Sequence, residues 1–374
     1  MTDTRPESRR RCATAGLAAA AFVLLAPASL AQAPADAAVL EGLGLQPGKE
    51  PLRQRPGWHA PHLVLYAAYM KDSLPLMQKA APGLKFVEAS QASAKETASA
   101  DATVGVCSEE VLAKATHLEW VQWMGAGVEG CVQQPLLRER KIVLTNLQRT
   151  AAPSMAEHVI AQMLMLSRHL DVYLRAQDKG QWVRDEGTQL NDLEGKTVLV
   201  VGLGGIGTEV AKRAHALGMR VIATRASGHE GPDYVSYVGL PDELLKLTRE
   251  ADYVVNCLPL TRETTGLFNT QFFAAMKPSA YFLSVGRGKS TVTADLVTAL
   301  ESHKIAGAGL DVVDPEPLPE SSPLWKLPNV VITPHISAYT AVTMQQRDVL
   351  LRANLERFVA GDALLAVVDP GRGY

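Results

Sequence analysis

The residues that most directly suggest chemistry are Gly202-Leu203-Gly204-Gly205-Ile206-Gly207, in the pattern G-x-G-x-x-G. They directly follow a predicted strand over Thr197–Val201 and open a predicted helix that runs to about Leu217. The first glycine allows a tight turn, the second lets the backbone approach a pyrophosphate, and the third lets the helix pack on the strand. The helix N-terminus supplies N–H groups and a partial positive charge. Strand, loop and helix in this order predict a bound dinucleotide.

The end of the next predicted strand, Arg220–Thr224, indicates which dinucleotide is bound. An NAD enzyme would place Asp or Glu there to accept hydrogen bonds from the ribose hydroxyls. This chain has Arg225, Ala226 and Ser227 instead. Arg225 can form charge-assisted hydrogen bonds to a 2′-phosphate; the alternative is that it stacks on adenine or faces solvent. We therefore predict NADP(H) as the preferred cofactor, with NAD(H) as the alternative.

Three further stretches place reactive side chains at the ends of predicted strands. Residues 284–288 contain Arg287, residues 310–319 contain Glu316, and residues 333–336 contain His335. Ligands of open α/β sheets bind outside the carboxyl ends of the strands. Each residue alone also has an ordinary explanation, as a surface cation, a loop acid among prolines or a strand-end imidazole. Their shared position favours one site.

These stretches make the sequence closely resemble the D-isomer-specific 2-hydroxyacid dehydrogenases, from about residue 60 to the C-terminus. The resemblance rests on VVGLGGIG, CLPLTRETTGLFN, the GRG and LDVVDPEPLP stretches, PLWKLPNVVITPHIS, GAGVEG and MAEHVI. Arg225 in place of an acid and the ending VVDPGRGY are similar to the glyoxylate/hydroxypyruvate reductases of that family. The resemblance implies NADPH-dependent reduction of a small 2-keto acid, of the glyoxylate or hydroxypyruvate type, to the D-2-hydroxy acid.

The resemblance also assigns catalytic roles, to Arg287, Glu316 and His335. Arg287 can hold the substrate carboxylate bidentately and polarise the carbonyl. His335 can deliver a proton to the developing alkoxide near neutral pH. Glu316 would orient the imidazole and favour its protonated form. The bound nicotinamide would supply the hydride.

Further contacts follow from the same resemblance. Gly125, Ala126 and Gly127 are expected to bind the substrate carboxylate through backbone N–H groups, together with Arg287. Asp311 matches a residue near the nicotinamide, and the alternative is a structural acid at a strand end. No metal site is expected. The expected dinucleotide contacts are Gly202, Gly204, Gly205, Ile206, Gly207, Arg225, Ser227, Cys257, Leu258, Pro259, Thr265, Val285, Gly286, Arg287, Asp311 and His335.

Short apolar runs alternate with helical segments, which predicts parallel sheets covered on both faces. The expected fold class is α/β, with two doubly wound parallel-sheet domains, a Rossmann dinucleotide-binding domain inserted into a flavodoxin-like substrate domain. Ser154 and Glu157 should form a capping box at the start of the long connecting helix. The last helix, over residues 340–360, should end at Gly361. The predicted boundaries are 1–31 signal peptide, 32–60 a loose linker, 61–152 and 338–374 substrate domain, 153–187 connecting helix and crossing, and 188–337 dinucleotide-binding domain.

The N-terminus has the features of an export signal. Four arginines, at positions 5, 9, 10 and 11, precede an uncharged segment over residues 13–25 and small residues before Gln32. We expect cleavage after Ala31, with no stable membrane anchor left; an uncleaved anchor is the alternative. Ser8-Arg9-Arg10 resembles the start of a twin-arginine motif, which would make the twin-arginine export machinery a partner. An ordinary secretory signal is equally consistent.

The predicted location is therefore periplasmic or secreted, or cytoplasmic if the leader is spurious. The formal net charge of −2 on 374 residues and the lack of a basic stripe indicate no nucleic-acid partner. Cys107 and Cys257 are expected to be buried free thiols, without a disulfide framework. The resemblance implies a homodimer, formed through the helix near residues 154–168.

Rival functions remain at this point. A non-catalytic dinucleotide-sensing protein could use the same fold, because function must be argued from the site. A formate dehydrogenase relative is disfavoured, because such enzymes lack the Glu that Glu316 provides. A dehydrogenase for a bulkier 2-hydroxy acid is the third alternative.

Overall fold

The computed structural model describes residues 29–184 and 190–373, with side chains from Asp36 onward. The chain begins with a parallel sheet whose strands are short and mostly buried. These strands are β1 Leu63–Tyr66, β2 Lys85–Glu88, β3 Ala102–Val104, β4 Trp120–Gln122 and β5 Val143–Thr145. Their order is β2-β1-β3-β4-β5, so the chain reverses its direction of travel across the sheet between β1 and β3. This is the flavodoxin-like order that was expected.

Helices cover this first sheet and connect it to the second. They are α1 Ser29–Leu43, α2 Leu74–Ala80, α3 Ala94–Ala98, α4 Glu109–Lys114, α5 Glu129–Val132, α6 Pro135–Glu139, α7 Ala152–Ser167 and α8 Leu170–Asp178. Short 3₁₀ helices lie at Leu52–Gln54 and Ala68–Ser73. Buried side chains form one apolar cluster on each face of the sheet.

Helix α1 corrects the expectation of a loose segment before the first strand. Its sequence is rich in Ala and Leu, which have high helix propensity, and Gly44, with φ of +60°, follows its end. Leu43 is buried, and Asp36 forms a 3.0 Å ion pair with Arg352, so the helix packs on the body of the protein. The predicted signal peptide lies outside the described residues, apart from its last three positions at the start of α1. Among the described helices, none has the length and apolar character needed to cross a bilayer.

The second sheet has seven parallel strands. They are β6 Thr197–Val201, β7 Arg220–Thr224, β8 Tyr237–Gly239, β9 Tyr253–Asn256, β10 Tyr281–Ser284, β11 Gly307–Leu310 and β12 Val330–Ile332. Their order is β12-β11-β10-β9-β6-β7-β8, which is the doubly wound Rossmann arrangement with one added strand. The apolar runs KTVLVVG, MRVIATR, YVVNCLP, AYFLSVG, AGLDVV and NVVITPH predict all of these strands except β8. Strand β8 has only three residues and begins with an exposed tyrosine.

The remaining helices are α9 Gly205–Ala216, α10 Leu244–Thr248, α11 Thr270–Ala275, α12 Thr293–Glu301 and α13 Ala341–Ala360. Further 3₁₀ helices lie at Pro241–Glu243, Gly288–Ser290 and Pro323–Lys326. Helix α13 is capped by the Thr340 hydroxyl, and Gly361 follows it with φ of +67°, as predicted. Its Leu351, Leu355 and Phe358 pack in a core of the first sheet, so the chain returns there after the second sheet. The exact domain boundaries remain a prediction.

Helix α7 does not begin as the capping-box pattern predicted. It starts at Ala152, so Pro153 lies in the first turn, where a missing N–H costs nothing. Ser154 is therefore inside the helix, and its hydroxyl bonds to Thr340 Oγ1 at 2.9 Å. Glu157 forms an ion pair with Arg213 of α9 instead of capping. Ser154 and Glu157 thus connect α7 to neighbouring parts of the fold.

The cysteine prediction is wrong for Cys107, which forms a disulfide with Cys131. The two residues are 24 positions apart, and no sequence spacing marks them as partners. They meet because α5 packs beside the segment that follows β3, with Cα atoms 5.6 Å apart. Cys257 is a free thiol, as expected.

Candidate active site

The glycine loop between β6 and α9 has the space and the donors that a pyrophosphate needs. Gly202 has φ of +97°, and a side chain there would press on Leu258. A Cβ on Gly207 would lie 2.1 Å from the Gly202 carbonyl oxygen, so only glycine lets helix and strand pack this closely. A Cβ on Gly204 would meet nothing within 4 Å, so the loop faces open space there. Since no side chain caps α9, its first N–H groups are available to phosphates.

Arg225 stands at the end of β7, where an NAD enzyme would have an acid. Its backbone N–H donates to the Gly239 carbonyl at 2.9 Å, which fixes the end of the strand. Its guanidinium donates to the Glu230 carbonyl at 3.0 Å. Within the described residues it forms no ion pair with a carboxylate. Ser227 is exposed in the same turn.

Arg287 extends from a loop whose two glycines pack against neighbouring loops. A Cβ on Gly286 would lie 2.6 Å from the Leu258 carbonyl oxygen, and one on Gly288 would lie 1.8 Å from the Val313 carbonyl oxygen. The loops that follow β9, β10 and β11 are therefore in direct backbone contact. This contact determines where Arg287 leaves the backbone.

The Arg287 side chain reaches the loop over residues 125–127 of the first sheet. Its Nε donates to Glu129 Oε1 at 2.9 Å, and its Nη1 donates to the Gly286 carbonyl at 2.8 Å. The position of a Cβ on Gly127 would be 1.7 Å from Arg287 Nη2, so only glycine leaves room for the guanidinium. The structure thus brings together the predicted catalytic arginine and the predicted substrate loop.

That loop uses its carbonyl groups for structure and keeps its N–H groups free. The Trp123 indole donates to the Gly127 carbonyl at 2.7 Å, and the Asn146 amide donates to the Ala126 carbonyl at 2.7 Å. The Gly125 carbonyl accepts from the Leu147 N–H at 3.0 Å. The N–H groups of residues 125–127 have no partner within the described part of the chain. Three free N–H donors next to a guanidinium are suited to bind a carboxylate, which stays a prediction for this loop.

His335 and Glu316 form the pair that the sequence predicted. Nδ1 of His335 lies 2.8 Å from Glu316 Oε2, and Glu316 Oε1 accepts from the Val313 N–H at 3.1 Å. His335 has φ of +52°, and its N–H donates to the Asp311 carbonyl at 2.8 Å. Because Nδ1 is held by the carboxylate, Nε2 is the nitrogen left for a substrate oxygen. Both side chains are partly exposed, so a small acid can approach.

Asp311 anchors the loop that carries His335. Its carboxylate is buried and accepts from the Thr333 hydroxyl at 2.7 Å and from the N–H groups of Ile336 and Ser337 at 3.0 and 3.1 Å. Burial alone would raise the pKa of Asp311, but these donors outweigh burial, so the pKa lies below its ordinary value. His158 of α7 holds Thr333 at 2.9 Å. The geometry therefore supports the structural role for Asp311, and contact with a nicotinamide stays a prediction.

The other predicted dinucleotide contacts lie in the loops that follow β9 and β10. Cys257, Leu258 and Pro259 follow β9, and burial raises the pKa of the Cys257 thiol to about 12, which excludes a thiolate at neutral pH. Val285 is buried in the core, and the Thr265 hydroxyl already donates to the Thr261 carbonyl at 2.7 Å. These residues can shape the cleft, but the side chains of Cys257, Val285 and Thr265 offer it little polar chemistry.

Several residues of the site were not predicted from sequence. Glu129 forms an ion pair with Arg287. Trp123 and Asn146 donate hydrogen bonds to the carbonyls of the substrate loop. Thr333, held by His158, donates to Asp311. Glu129 follows the GAGV stretch directly, which was a usable signal. Trp123 stands two residues before the loop, so its place beside the loop can be read from the sequence. Asn146 and His158 lie on separate elements, and only the fold brings them to the site.

Comparison with known proteins agrees with this geometry. Residues 160–337 match the family described as D-isomer specific 2-hydroxyacid dehydrogenase, NAD binding domain. Glyoxylate/hydroxypyruvate reductase A of Serratia proteamaculans is 33% identical over 272 residues, which cover 71% of this chain and 84% of the reductase.

Two solved structures are also similar. The NADPH-dependent glyoxylate/hydroxypyruvate reductase of Sinorhizobium meliloti, in complex with NADP and sulfate, has a TM-score of 0.71 and 28% identity, covering 84% of this chain and all of that one (100%). A D-isomer specific 2-hydroxyacid dehydrogenase of Xanthobacter autotrophicus, in complex with NADPH and MES, has a TM-score of 0.70 and 29% identity, with coverage of 84% and 100%. The protein belongs to the D-isomer-specific 2-hydroxyacid dehydrogenases, a family of NAD(P)-dependent oxidoreductases that act on small hydroxy and keto acids.

Proposed function

We propose that this protein uses NADPH to reduce a small 2-keto acid, of the glyoxylate or hydroxypyruvate type, to the D-2-hydroxy acid. The observation that carries the proposal is the position of Arg287. It extends from the second sheet, and its guanidinium lies against Gly127 and Glu129, at the 125–127 loop whose N–H groups are free within the described chain. Through Gly288 its loop touches Val313, whose N–H holds Glu316. A cation, a carboxylate cradle and an imidazole–carboxylate pair therefore lie on adjoining loops.

The residues divide the reaction as follows. The N–H groups of residues 125–127 and Arg287 hold the substrate carboxylate, and Arg287 also polarises the keto oxygen. His335 donates its Nε2 proton to that oxygen as negative charge develops. Glu316 keeps the ring oriented through Nδ1. Bound NADPH supplies the hydride.

The preference for NADPH rests on Arg225. Arg225 directly follows β7, the position where an NAD enzyme would have an acid for the ribose hydroxyls, and its guanidinium has no carboxylate partner within the described residues. A 2′-phosphate would supply that partner. The Sinorhizobium and Xanthobacter proteins were solved with NADP and NADPH, which agrees with this preference.

The substrate class can be tested by following nicotinamide absorbance with the mature protein, using NADPH and NADH against glyoxylate, hydroxypyruvate, pyruvate and a bulkier 2-keto acid. We expect fast turnover of the small acids with NADPH. His335→Gln and Arg287→Lys should each lower kcat/KM by about 10²–10⁴-fold. Arg220→Lys, at an exposed ion pair with Glu250, is the matched control and should be silent.

The outcomes separate the alternatives. Tight NADPH binding without turnover of any keto acid would replace the proposal with a dinucleotide-sensing protein. Higher kcat/KM for the bulkier acid would reassign the substrate. Arg225→Ala should bring the kcat/KM values measured with NADPH and with NADH close together. An unchanged ratio of these two values would remove the basis for the cofactor assignment.

Export and dimerisation complete the proposal. Replacing Arg9 and Arg10 by Lys should keep the protein in the cytoplasm if the twin-arginine machinery exports it, and normal export of the variant would contradict that route. For the dimer, Leu164 on α7 is one of the large apolar side chains left exposed in the described chain. Sedimentation of the mature protein should give twice the chain mass, and Leu164→Glu should weaken that association.

A further inference from the structure

The amino-terminal edge of the first sheet carries three polar side chains that the proposed reaction does not use. His59 Nε2 lies 2.9 Å from Asp101 Oδ1, and His62 Nδ1 lies 2.8 Å from Asp101 Oδ2. All three potential ligand atoms lie within 4.8 Å of one another. Asp101 is buried, whereas the two imidazoles are about half exposed, so the cluster opens to solvent.

The cluster is separate from the active site. His62 directly precedes β1 and Asp101 directly precedes β3, so both stand at the amino ends of parallel strands. The 125–127 loop lies beyond the carboxyl end of β4 in the same sheet. The sheet itself therefore separates the two places, and an occupant of the cluster would not touch the keto acid.

The carboxylate is held in place by its surroundings. Asp101 Oδ2 also accepts from the backbone N–H groups of His62 and Leu63, at 2.7 and 2.9 Å. These bonds orient the carboxylate in the way that hydrogen bonds around a metal ligand usually do. Oδ1 has only His59 as a partner in the described chain, and that partner is itself a potential ligand.

Further negative charge lies beside the cluster. The Glu119 N–H donates to the Asp101 carbonyl at 2.9 Å, and Oε2 of Glu119 is buried without a hydrogen-bond partner. Arg55 forms no ion pair with Glu119: its guanidinium donates to the Lys141 carbonyl and pairs with Glu50 at 4.0 Å. A bound cation would offset the burial of both acids.

We propose that His59, His62 and Asp101 bind one divalent transition-metal ion of the Zn²⁺ class. Two imidazoles and one carboxylate are a favourable donor set for such an ion, with a fourth position left for water or Glu119. Tetrahedral ligands at about 2.0–2.1 Å from the metal stand roughly 3.3 Å apart. The imidazole nitrogens now lie 2.9 Å from Oδ1 (His59) and 2.8 Å from Oδ2 (His62), and the three potential ligand atoms are within 4.8 Å of one another. Rotation of the half-exposed imidazoles can bring both nitrogens to the tetrahedral spacing around one carboxylate oxygen. The ion joins the segment before β1 to the start of β3 and stabilises the first domain.

The test uses tag-free mature protein, stripped with a chelator and titrated calorimetrically with Zn²⁺. We expect one ion per chain and a rise in Tm of about 3 °C or more at saturation. The double variant His59→Gln/His62→Gln should weaken Zn²⁺ binding at least about 100-fold and lose the rise in Tm. Single variants should lie between. Both histidines are exposed, so the fold should survive, and unchanged keto-acid turnover would verify this.

Two control variants make the test specific. His215→Gln changes an exposed histidine on α9 and should bind Zn²⁺ like the wild type. His335→Gln removes the other close imidazole–carboxylate pair of the described chain that is partly exposed, and should also keep the ion. Loss of binding in His335→Gln but not in the double variant would overturn the proposal, as would equal affinities for wild type and double variant. Neither result depends on catalysis, so the two proposals fail separately.

Discussion

The two sheets hold their active-site loops in different ways. In the second sheet, the loops after β9, β10 and β11 are in direct main-chain contact, because Gly286 and Gly288 have no side chains to separate them. In the first sheet, side chains hold two of the three loop carbonyls, since Trp123 and Asn146 donate to Gly127 and Ala126, and only the Gly125 carbonyl is held by a backbone N–H. Backbone contacts leave no room for adjustment, whereas side-chain contacts can shift. Substitutions of similar size should therefore have different consequences in the two regions.

Gly288→Ala should have the largest effect. Its Cβ would lie 1.8 Å from the Val313 carbonyl oxygen, which is backbone and cannot rotate away. We expect a loss of about 3 kcal/mol in unfolding free energy, together with loss of turnover, because the Val313 segment holds Glu316. Urea unfolding and kcat/KM would measure both. A stable, active Gly288→Ala would show that these loops are more adjustable than their contacts imply.

Loss of the Cys107–Cys131 disulfide should come next, because it braces α5, which carries Glu129 beside the substrate loop. Closing a chain segment of this length contributes about 3 kcal/mol in the loop-entropy description. Reduction of the folded protein should lower its stability by up to that amount. The double variant Cys107→Ala/Cys131→Ala should be less stable than the oxidised protein and should not respond to reductant. If reductant lowered the stability of the double variant as much as that of the wild type, the loss of stability would not come from this disulfide.

Gly127→Ala is the counterpart of Gly288→Ala in the first sheet. Its Cβ would lie 1.7 Å from Arg287 Nη2, at the end of a flexible side chain that can swing away. Stability should hardly change, but the displaced guanidinium should lower kcat/KM by about 10–100-fold. Gly130→Ala, where a Cβ meets nothing within 4 Å, is the matched control. A large loss of stability in Gly127→Ala would contradict the proposed difference between the rigid loops of the second sheet and the adjustable loop of the first.

The smallest effect concerns pH and the carboxylate that anchors His335. The pKa of Asp311 is lower in the folded state than its ordinary value of about 3.9. The ionised Asp311 carboxylate therefore stabilises the folded protein above that pH, and this stabilisation is lost as the pH falls through the folded-state pKa. Asp311→Asn should cost about 1–2 kcal/mol at pH 7, and the difference in Tm from wild type should shrink as pH falls below about 4. Exposed Asp192→Asn serves as the control, and a pH-independent difference would contradict the assignment.

Local pattern was sufficient wherever one element or one turn decides the outcome. The strands of both sheets, the glycine loop and the end of α13 were predicted because apolar runs, glycine positions and caps act over a few residues. The start of α7 was not predicted correctly. Pro153 and Ser154 allow a helix that begins at either of two residues, and the contacts of Ser154 with Thr340 and of Glu157 with Arg213 favour the earlier start. Strand β8 was missed because three residues carry too little pattern.

The sequence by itself determined the two-sheet α/β class and the glycine loop, and it predicted Arg287, Glu316 and His335 as the catalytic side chains. Only the tertiary structure decided what those side chains touch. The Glu129–Arg287 pair, the Cys107–Cys131 bond, the anchoring role of Asp311 and the His59–His62–Asp101 cluster each join residues that lie apart in the chain or on separate elements. Such contacts depend on the order of the strands and on which loops share an edge, and no local spacing encodes that order.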